Sequence, residues 1–366
     1  MIKKIIKQHP KITNFILLFL VLIIFGWIFY KIISFDFLAD SAESEKYSIL
    51  DKVIYQIRCN NERHIRLREL SHNKKIYKTP SNIFKTLENK KYLFETDENG
   101  FLKPSMIHKK PELQIFFIGG STTECEFVDE KSRFPYLVGR ILEENTKIKV
   151  NSDNAAKSGN NSLHSINILL NKLIPFNPDI VIMMHNINDL STLFFEGTYW
   201  NNNKTIAPIV CNQENNKEFI KNDQWSLSNF WKEKILDNPA ELIKLANYFK
   251  ENLKIFISIS KAKKINPILM TQPNRIENNE NFNINRSVEA SKIYRQQYIK
   301  FNQIIRDVAK EENVWLIDLA KLIPAEEKYI YDDLHLNNEG SELVAKEIEK
   351  SLELFLKVNK TKFLKK

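Results

Sequence analysis

Ser121 stands in Gly119-Gly120-Ser121-Thr122, directly after the apolar run Ile115-Phe116-Phe117-Ile118 and ahead of a helix-like stretch. A serine where a strand turns into a helix is exposed at the carboxyl edge of a sheet, beside free backbone N–H groups. That suits a nucleophile, because the same turn stabilises an anion formed next to it. Gly-Gly-Ser also occurs in ordinary turns, and the segments downstream are what make it specific. Cleavage of an ester by serine needs a base, a group that orients the base, and donors for the oxyanion. Near the C-terminus the chain reads Tyr331-Asp332-Asp333-Leu334-His335. A carboxylate three residues before a histidine can reach its Nδ1–H and hold the tautomer whose Nε2 accepts a proton. His335 is then the base and Asp332 the orienting acid, with Asp333 in reserve. Asn188, in Asn186-Ile187-Asn188-Asp189, and Gly159, in Lys157-Ser158-Gly159, each follow an expected strand. With the backbone N–H of Ser121 they supply three oxyanion donors. Glycine at 159 lets a backbone N–H approach a ligand closely.

These residues need a scaffold that brings distant segments to one edge. Short continuous apolar runs recur at 114–118, 147–150, 179–184, 267–271 and 314–319, the pattern of strands buried on both faces. Helical stripes lie between and after them: Phe134, Leu137, Val138, Ile141 and Leu142; Leu163, Ile166, Leu170, Leu173 and Ile174; Tyr294, Tyr298, Phe301, Ile305 and Val308; and Val344, Ile348, Leu352 and Phe355. Strands alternating with helices predict an α/β fold with a mainly parallel five-stranded sheet covered on both faces. In such folds the site lies outside the carboxyl ends of the strands. Residues 190–235 break the rhythm with Phe194, Phe195, Tyr199, Trp200, Trp225, Phe230 and Trp231 among many asparagines. Packing of these rings against one another accounts for the insertion better than a lid or a sugar-stacking platform. Asn99-Gly100 predicts a small hairpin or loop at 94–101.

In order and spacing the chemistry-bearing segments resemble the SGNH, or GDSL-type, hydrolases. Ser121 matches the serine of the first block, Gly159 the glycine of the second, Asn188 the asparagine of the third, and Asp332 with His335 the final Asp-x-x-His. The resemblance covers about residues 112–357. It implies a flavodoxin-like three-layer α/β/α domain, ester-cleaving or acyl-transferring chemistry, and no metal or other cofactor. The Gly-Gly-Ser-Thr block is similar to that of membrane-anchored members associated with cell-surface polysaccharide, which makes an O-acetylated glycan the expected substrate. Asn186 stands where the family usually has glycine, and asparagine tolerates the left-handed backbone. The resulting expectation is a serine esterase acting through an acyl-enzyme. An O-acyltransferase with the same triad, or a catalytically silent glycan-binding or assembly component, are the alternatives, and intact Ser121, Asp332 and His335 argue against the silent one. A dinucleotide enzyme fits poorly, since Gly-Gly-Ser-Thr-Thr-Glu lacks the Gly-x-Gly-x-x-Gly pattern and no P-loop lysine follows.

The N-terminus predicts a membrane anchor at 12–35. Residues 12–30 are uncharged and largely apolar, close to the roughly 17–25 residues that cross a bilayer. Lys3, Lys4, Lys7 and Lys11 precede the run and Lys31 follows it, which predicts a cytoplasmic N-terminus (1–11) and a periplasmic or extracellular catalytic domain. The apolar core is longer than that of a cleaved signal peptide and lacks a small-x-small site. Residues 36–111 read as a stalk and lead-in, and 358–366 as a basic tail. The net charge of +9 gathers at the two ends, so no basic stripe for nucleic acid is expected. Cys59, Cys125 and Cys211 lack metal-ligand spacing; the sequence leaves a Cys59–Cys211 bridge open and reads Cys125 as a small buried side chain. His164 reads as a helix residue, and His185 as a neighbour of the third block. Arg275 follows the fourth strand on the cleft side, as a candidate ligand for an acidic substrate group or a partner in a surface salt bridge.

Overall fold

The computed structural model describes residues 63–201, 203, 205–211, 238–280, 282 and 288–359, all but Cys211 within one compact unit. The expected anchor, residues 36–62 with Cys59, the rings Trp225, Phe230 and Trp231, and the tail from 360 lie outside them. No helix among the described residues is long and apolar enough to cross a membrane.

Lys75–Lys78 (β1) and Tyr92–Glu95 (β2) pair antiparallel. Five parallel strands follow: β3 (Leu113–Gly119), β4 (Val150–Asn154), β5 (Ile180–Met184), β6 (Asn266–Met270) and β7 (Trp315–Ile317). Their order across the sheet is β4-β3-β5-β6-β7. This is the flavodoxin-like arrangement, in which the direction of winding reverses between the first and third strands and opens a crevice at their carboxyl ends. Gly119 pairs with Met184 at that reversal, so the turns after β3 and β5 stand side by side.

Alternating residues feed two cores. Ile115 and Phe117 of β3 pack with Phe134, Val138 and Leu142 of α2 (Phe134–Thr146) and with Val344, Ile348 and Leu352 of α8 (Asn338–Val358). Phe116 and Ile118 point the other way, into a core shared with α3 (Ser162–Ile168), α4 (Ile187–Glu196), α5 (Pro239–Ala262) and α6 (Val288–Glu311). There Phe249 stacks on Phe301 at 4.6 Å between ring centroids. Each such side chain, fully withdrawn from water, contributes about 1.5–3 kcal/mol before the entropy of ordering it. Two short helices, α1 (Ser121–Glu124) and α7 (Leu319–Leu322), follow β3 and β7.

The second strand differs from expectation. Helix α2 runs through Thr146 and stops at Lys147 in the left-handed conformation, so the strand starts at Val150 and continues through Asn151-Ser152-Asp153-Asn154. All four polar residues are buried and hydrogen-bonded. Asn151 donates to the His108 carbonyl at 2.9 Å, Ser152 to the Pro135 carbonyl at 2.5 Å, and Asn154 to the Thr123 carbonyl at 2.8 Å. Asp153 accepts from the Met106 N–H at 2.6 Å and the Gln114 side chain at 2.8 Å, while burial pushes its carboxyl up to about 6. Residues 101–108 thus cover the sheet edge through polar contacts. Residues 63–111, the described part of the expected stalk and lead-in, belong to the compact unit. The turn at Asn99-Gly100 is present, with Gly100 at φ +72°. Phe194 and Tyr199, at the start of the aromatic-rich stretch, are buried in the main core, whereas Trp200 is exposed.

Asn337 holds the start of α8, accepting from the Gly340 N–H at 2.9 Å and donating to the Lys328 carbonyl at 2.7 Å. Asn337→Ala is expected to lower stability by about 1–2 kcal/mol in urea unfolding with an unchanged slope. A shift below about 0.3 kcal/mol would contradict this role.

Candidate active site

Ser121 opens α1 immediately after β3, and His335 lies in the loop between β7 and α8, 214 residues away. Their side chains meet: His335 Nε2 is 2.7 Å from Ser121 Oγ. On the other side of the imidazole, Nδ1 is 2.6 Å from Asp332 Oδ2. The other Asp332 oxygen accepts the N–H groups of Leu334 (2.9 Å) and His335 (2.7 Å), so the carboxylate is clamped by the loop that carries the histidine. Burial acts to raise the Asp332 pKa, but the hydrogen bond and charge of His335 and the two N–H donors outweigh it and hold the carboxyl below its usual range. The Tyr331 ring stacks on the imidazole at 5.8 Å, backed edge-on by Phe84 and Phe127.

The expected oxyanion residues converge on the same turn. A Cβ on Gly120 would lie 2.3 Å from Asn188 Nδ2, so only glycine lets that amide approach the backbone before Ser121. Asn188, in the first turn of α4, donates one Nδ2–H to the Asn160 carbonyl at 2.8 Å, which leaves the second donor for another acceptor. Gly159 has φ +76° and precedes Asn160 in the adjoining loop. Asn186 is not left-handed: φ −167° and ψ −75° place it outside the conformation expected of it, and its side chain donates to the Tyr298 carbonyl at 3.0 Å. Its replacement of glycine therefore needs no positive φ.

Arg275 sits beside the catalytic-type loop but acts within it. Its guanidinium donates to the carbonyls of Ile330 (3.3 Å) and Asp332 (3.2 Å), and its N–H to the Asp333 carbonyl at 2.8 Å. These bonds brace the Asp332–His335 turn. Asp333, the reserve acid, makes no hydrogen bond to His335; burial raises its carboxyl, with Asp332 adding to the effect. His185 forms a second Ser–His–Asp arrangement, 2.7 Å from Ser165 Oγ and 3.5 Å from Asp189 Oδ2. All three residues are sealed from solvent, so this group is structural. His164 is also buried, bonded to the Asn161 N–H and the Ile206 carbonyl. Burial pushes the Cys125 thiol up to about 12, which removes it as a rival nucleophile.

Two positioning residues carried no local sequence signal. Gln272, after β6, donates to Thr122 Oγ1 at 2.8 Å and accepts from the Ile187 N–H at 3.1 Å, tying the serine turn to the helix of Asn188. Arg68 donates to the Gly159 carbonyl at 2.8 Å, and its backbone carbonyl accepts from Asn160 at 2.9 Å. Among the described residues, no cluster of three or more His, Cys, Asp or Glu side chains could hold a metal ion.

The GDSL-like lipase/acylhydrolase family model matches residues 117–343, more than half of the chain. The chain belongs to this family. It is an ester-hydrolysing enzyme. An acetylxylan esterase from Geobacillus stearothermophilus is 16% identical, the match covering 65% of this chain and 93% of that one at a TM-score of 0.44. A GDSL-like lipase from Bacteroides thetaiotaomicron is 17% identical over 67% of this chain and 90% of that one, at a TM-score of 0.41. The acetyl xylan esterase AlAXEase is 17% identical over 65% and 99%, at 0.42. No curated protein sequence matches this chain.

Glu124, one turn after Ser121, is buried with Oε2 unpartnered. Desolvation, helped by Glu126, raises its carboxyl to about 7 despite Lys78, Lys157 and the Ser158 N–H. Because the folded pKa exceeds the unfolded one, the folded state binds this proton more tightly. Its contribution is complete below the unfolded value near 4.5 and is lost as pH rises through about 7. Wild-type stability should therefore fall, relative to Glu124→Gln, between pH 5 and 8, by on the order of 1–3 kcal/mol. Urea unfolding across that range checks it, and parallel profiles for the two proteins would contradict it.

Proposed function

We propose that the chain is a serine esterase that removes O-acyl groups, foremost O-acetyl, from a cell-surface glycan through an acyl-enzyme. The observation that carries this reading is the unbroken chain from Ser121 Oγ through His335 to Asp332, at 2.7 and 2.6 Å. His335 Nε2 takes the proton as Ser121 Oγ attacks the ester carbonyl. Asp332 fixes the tautomer and stabilises the imidazolium that forms. The N–H groups of Ser121 and Gly159 and the free Nδ2–H of Asn188 receive the oxyanion. The imidazolium returns its proton to the leaving sugar oxygen, and a water molecule, deprotonated by the same Nε2, releases the acyl group from Ser121.

The glycan assignment draws support from the Gly-Gly-Ser-Thr block and from the half-buried rings of Phe84 and Phe127, which flank the Tyr331 that stacks on His335. The uncharged run 12–30 behind four lysines supports a single N-terminal anchor, with this domain on the outer side of the membrane.

Ser121→Ala should reduce p-nitrophenyl acetate hydrolysis to the background rate, and Asn188→Ala should lower kcat about 10²–10³-fold. Full activity in Ser121→Ala would refute the assignment. Release of free acetate, in preference to its appearance on an added sugar, separates hydrolysis from acyl transfer.

A further inference from the structure

The loop after β4, which carries Gly159, is covered by a cation, Arg68, that makes no ion pair among the described residues. The Arg68 guanidinium lies on the face of Gly159 where a side chain would stand: a Cβ there would be 3.3 Å from Nη2 and 3.6 Å from Nη1. Nη1 donates to the Gly159 carbonyl, and Arg68 makes no other side-chain hydrogen bond and no ion pair among the described residues. Its Nε–Nη2 edge is the fork that binds a carboxylate through two parallel bonds.

Among the described residues, the acids around Arg68 and Lys157 are engaged elsewhere or buried. Lys157, in the same loop, is half-buried and donates to the Glu69 carbonyl at 2.6 Å, without a carboxylate partner among the described residues. The Glu69 carboxylate is committed to Lys172 at 2.7 Å and lies 3.5 Å from His72. Glu124 is the acid nearest in charge terms, and burial keeps much of it protonated near neutral pH. Burial and the neighbouring Arg66 depress the Arg68 guanidinium to about 10. Arg68 and Lys157 repel one another in a partly dry place, which is unfavourable unless an anion joins them. Segment 66–69 also clamps the loop through the Arg68, Asn160 and Lys157 bonds, so the guanidinium is held rigidly beside the acyl site.

We propose that Arg68 and Lys157 form a subsite for a carboxylate on the sugar that carries the scissile ester, so that the favoured substrates are acetylated uronic-acid-type glycans. This rests on the esterase reading for its place beside the reacting ester. The Arg68 fork takes the carboxylate in the plane of its Nε–Nη2 edge, and the Lys157 ammonium adds a point charge.

The test compares kcat/KM for the acetylated methyl glycosides of glucuronic acid and of glucose. The ratio cancels any loss common to both esters, including one caused by a loosened Gly159. Wild-type protein should favour the uronide by about 10–100-fold, the range of one charge-assisted contact. Arg68→Ala should bring the ratio close to one, Arg68→Lys should restore part of it, and Lys157→Ala should lower it. A wild-type ratio near one, or a ratio unaffected by Arg68→Ala, would overturn the proposal. Calorimetric titration of Ser121→Ala protein with free glucuronate and with glucose keeps the two readings apart. Glucuronate binding weakened about tenfold or more by Arg68→Ala supports the subsite even where no ester is cleaved. Equal binding of the two sugars beside normal cleavage of the neutral ester leaves the esterase and removes the subsite.

Discussion

The site depends on one imidazole held at both nitrogens. His335 Nε2 meets Ser121 Oγ while Asp332 holds its Nδ1, and Asp332 in turn is fixed by the Leu334 and His335 N–H groups. The hydrogen-bonding residues lie 214 positions apart, so the contact exists only because the sheet delivers β3 and the loop after β7 to the same edge. Everything around it narrows that geometry: Arg275 holds the loop carbonyls, Asn337 anchors the following helix, and Gln272 joins the serine turn to the helix of Asn188.

Much of this was legible in the sequence. Four of the five strands announce themselves as continuous apolar runs because both faces of a parallel sheet are dry. The spacing of Asp332 and His335 within one turn is a local property, and so is the position of Ser121 after β3. The strand at 150–154 was not legible, since a run of Asn, Ser, Asp and Asn reads as loop until its partners are known. Its polar groups are satisfied by Gln114, Met106, His108, Pro135 and Thr123, drawn from four other segments. Arg68 and Gln272 were missed for the same reason. Neither belongs to a pattern along the chain, and each acquires its role from tertiary neighbours.

The lead-in segment changes how the site is understood. The family match begins at residue 117, yet three hydrogen bonds from residues 68 and 69 secure the loop that carries Gly159 and Asn160. Asn160 in turn accepts from Asn188, so the presentation of the Asn188 amide depends on a segment that precedes the sheet. Glu124 lies in the same cluster as a buried acid. The chemistry is thus set by the sheet edge, and its surroundings by what is laid over that edge.

The most direct measurement is reaction with a fluorophosphonate probe followed by peptide mass spectrometry. The account predicts one adduct per chain, on Ser121, and its loss in His335→Ala. An unmodified Ser121, or labelling that survives removal of the imidazole at full rate, would contradict it.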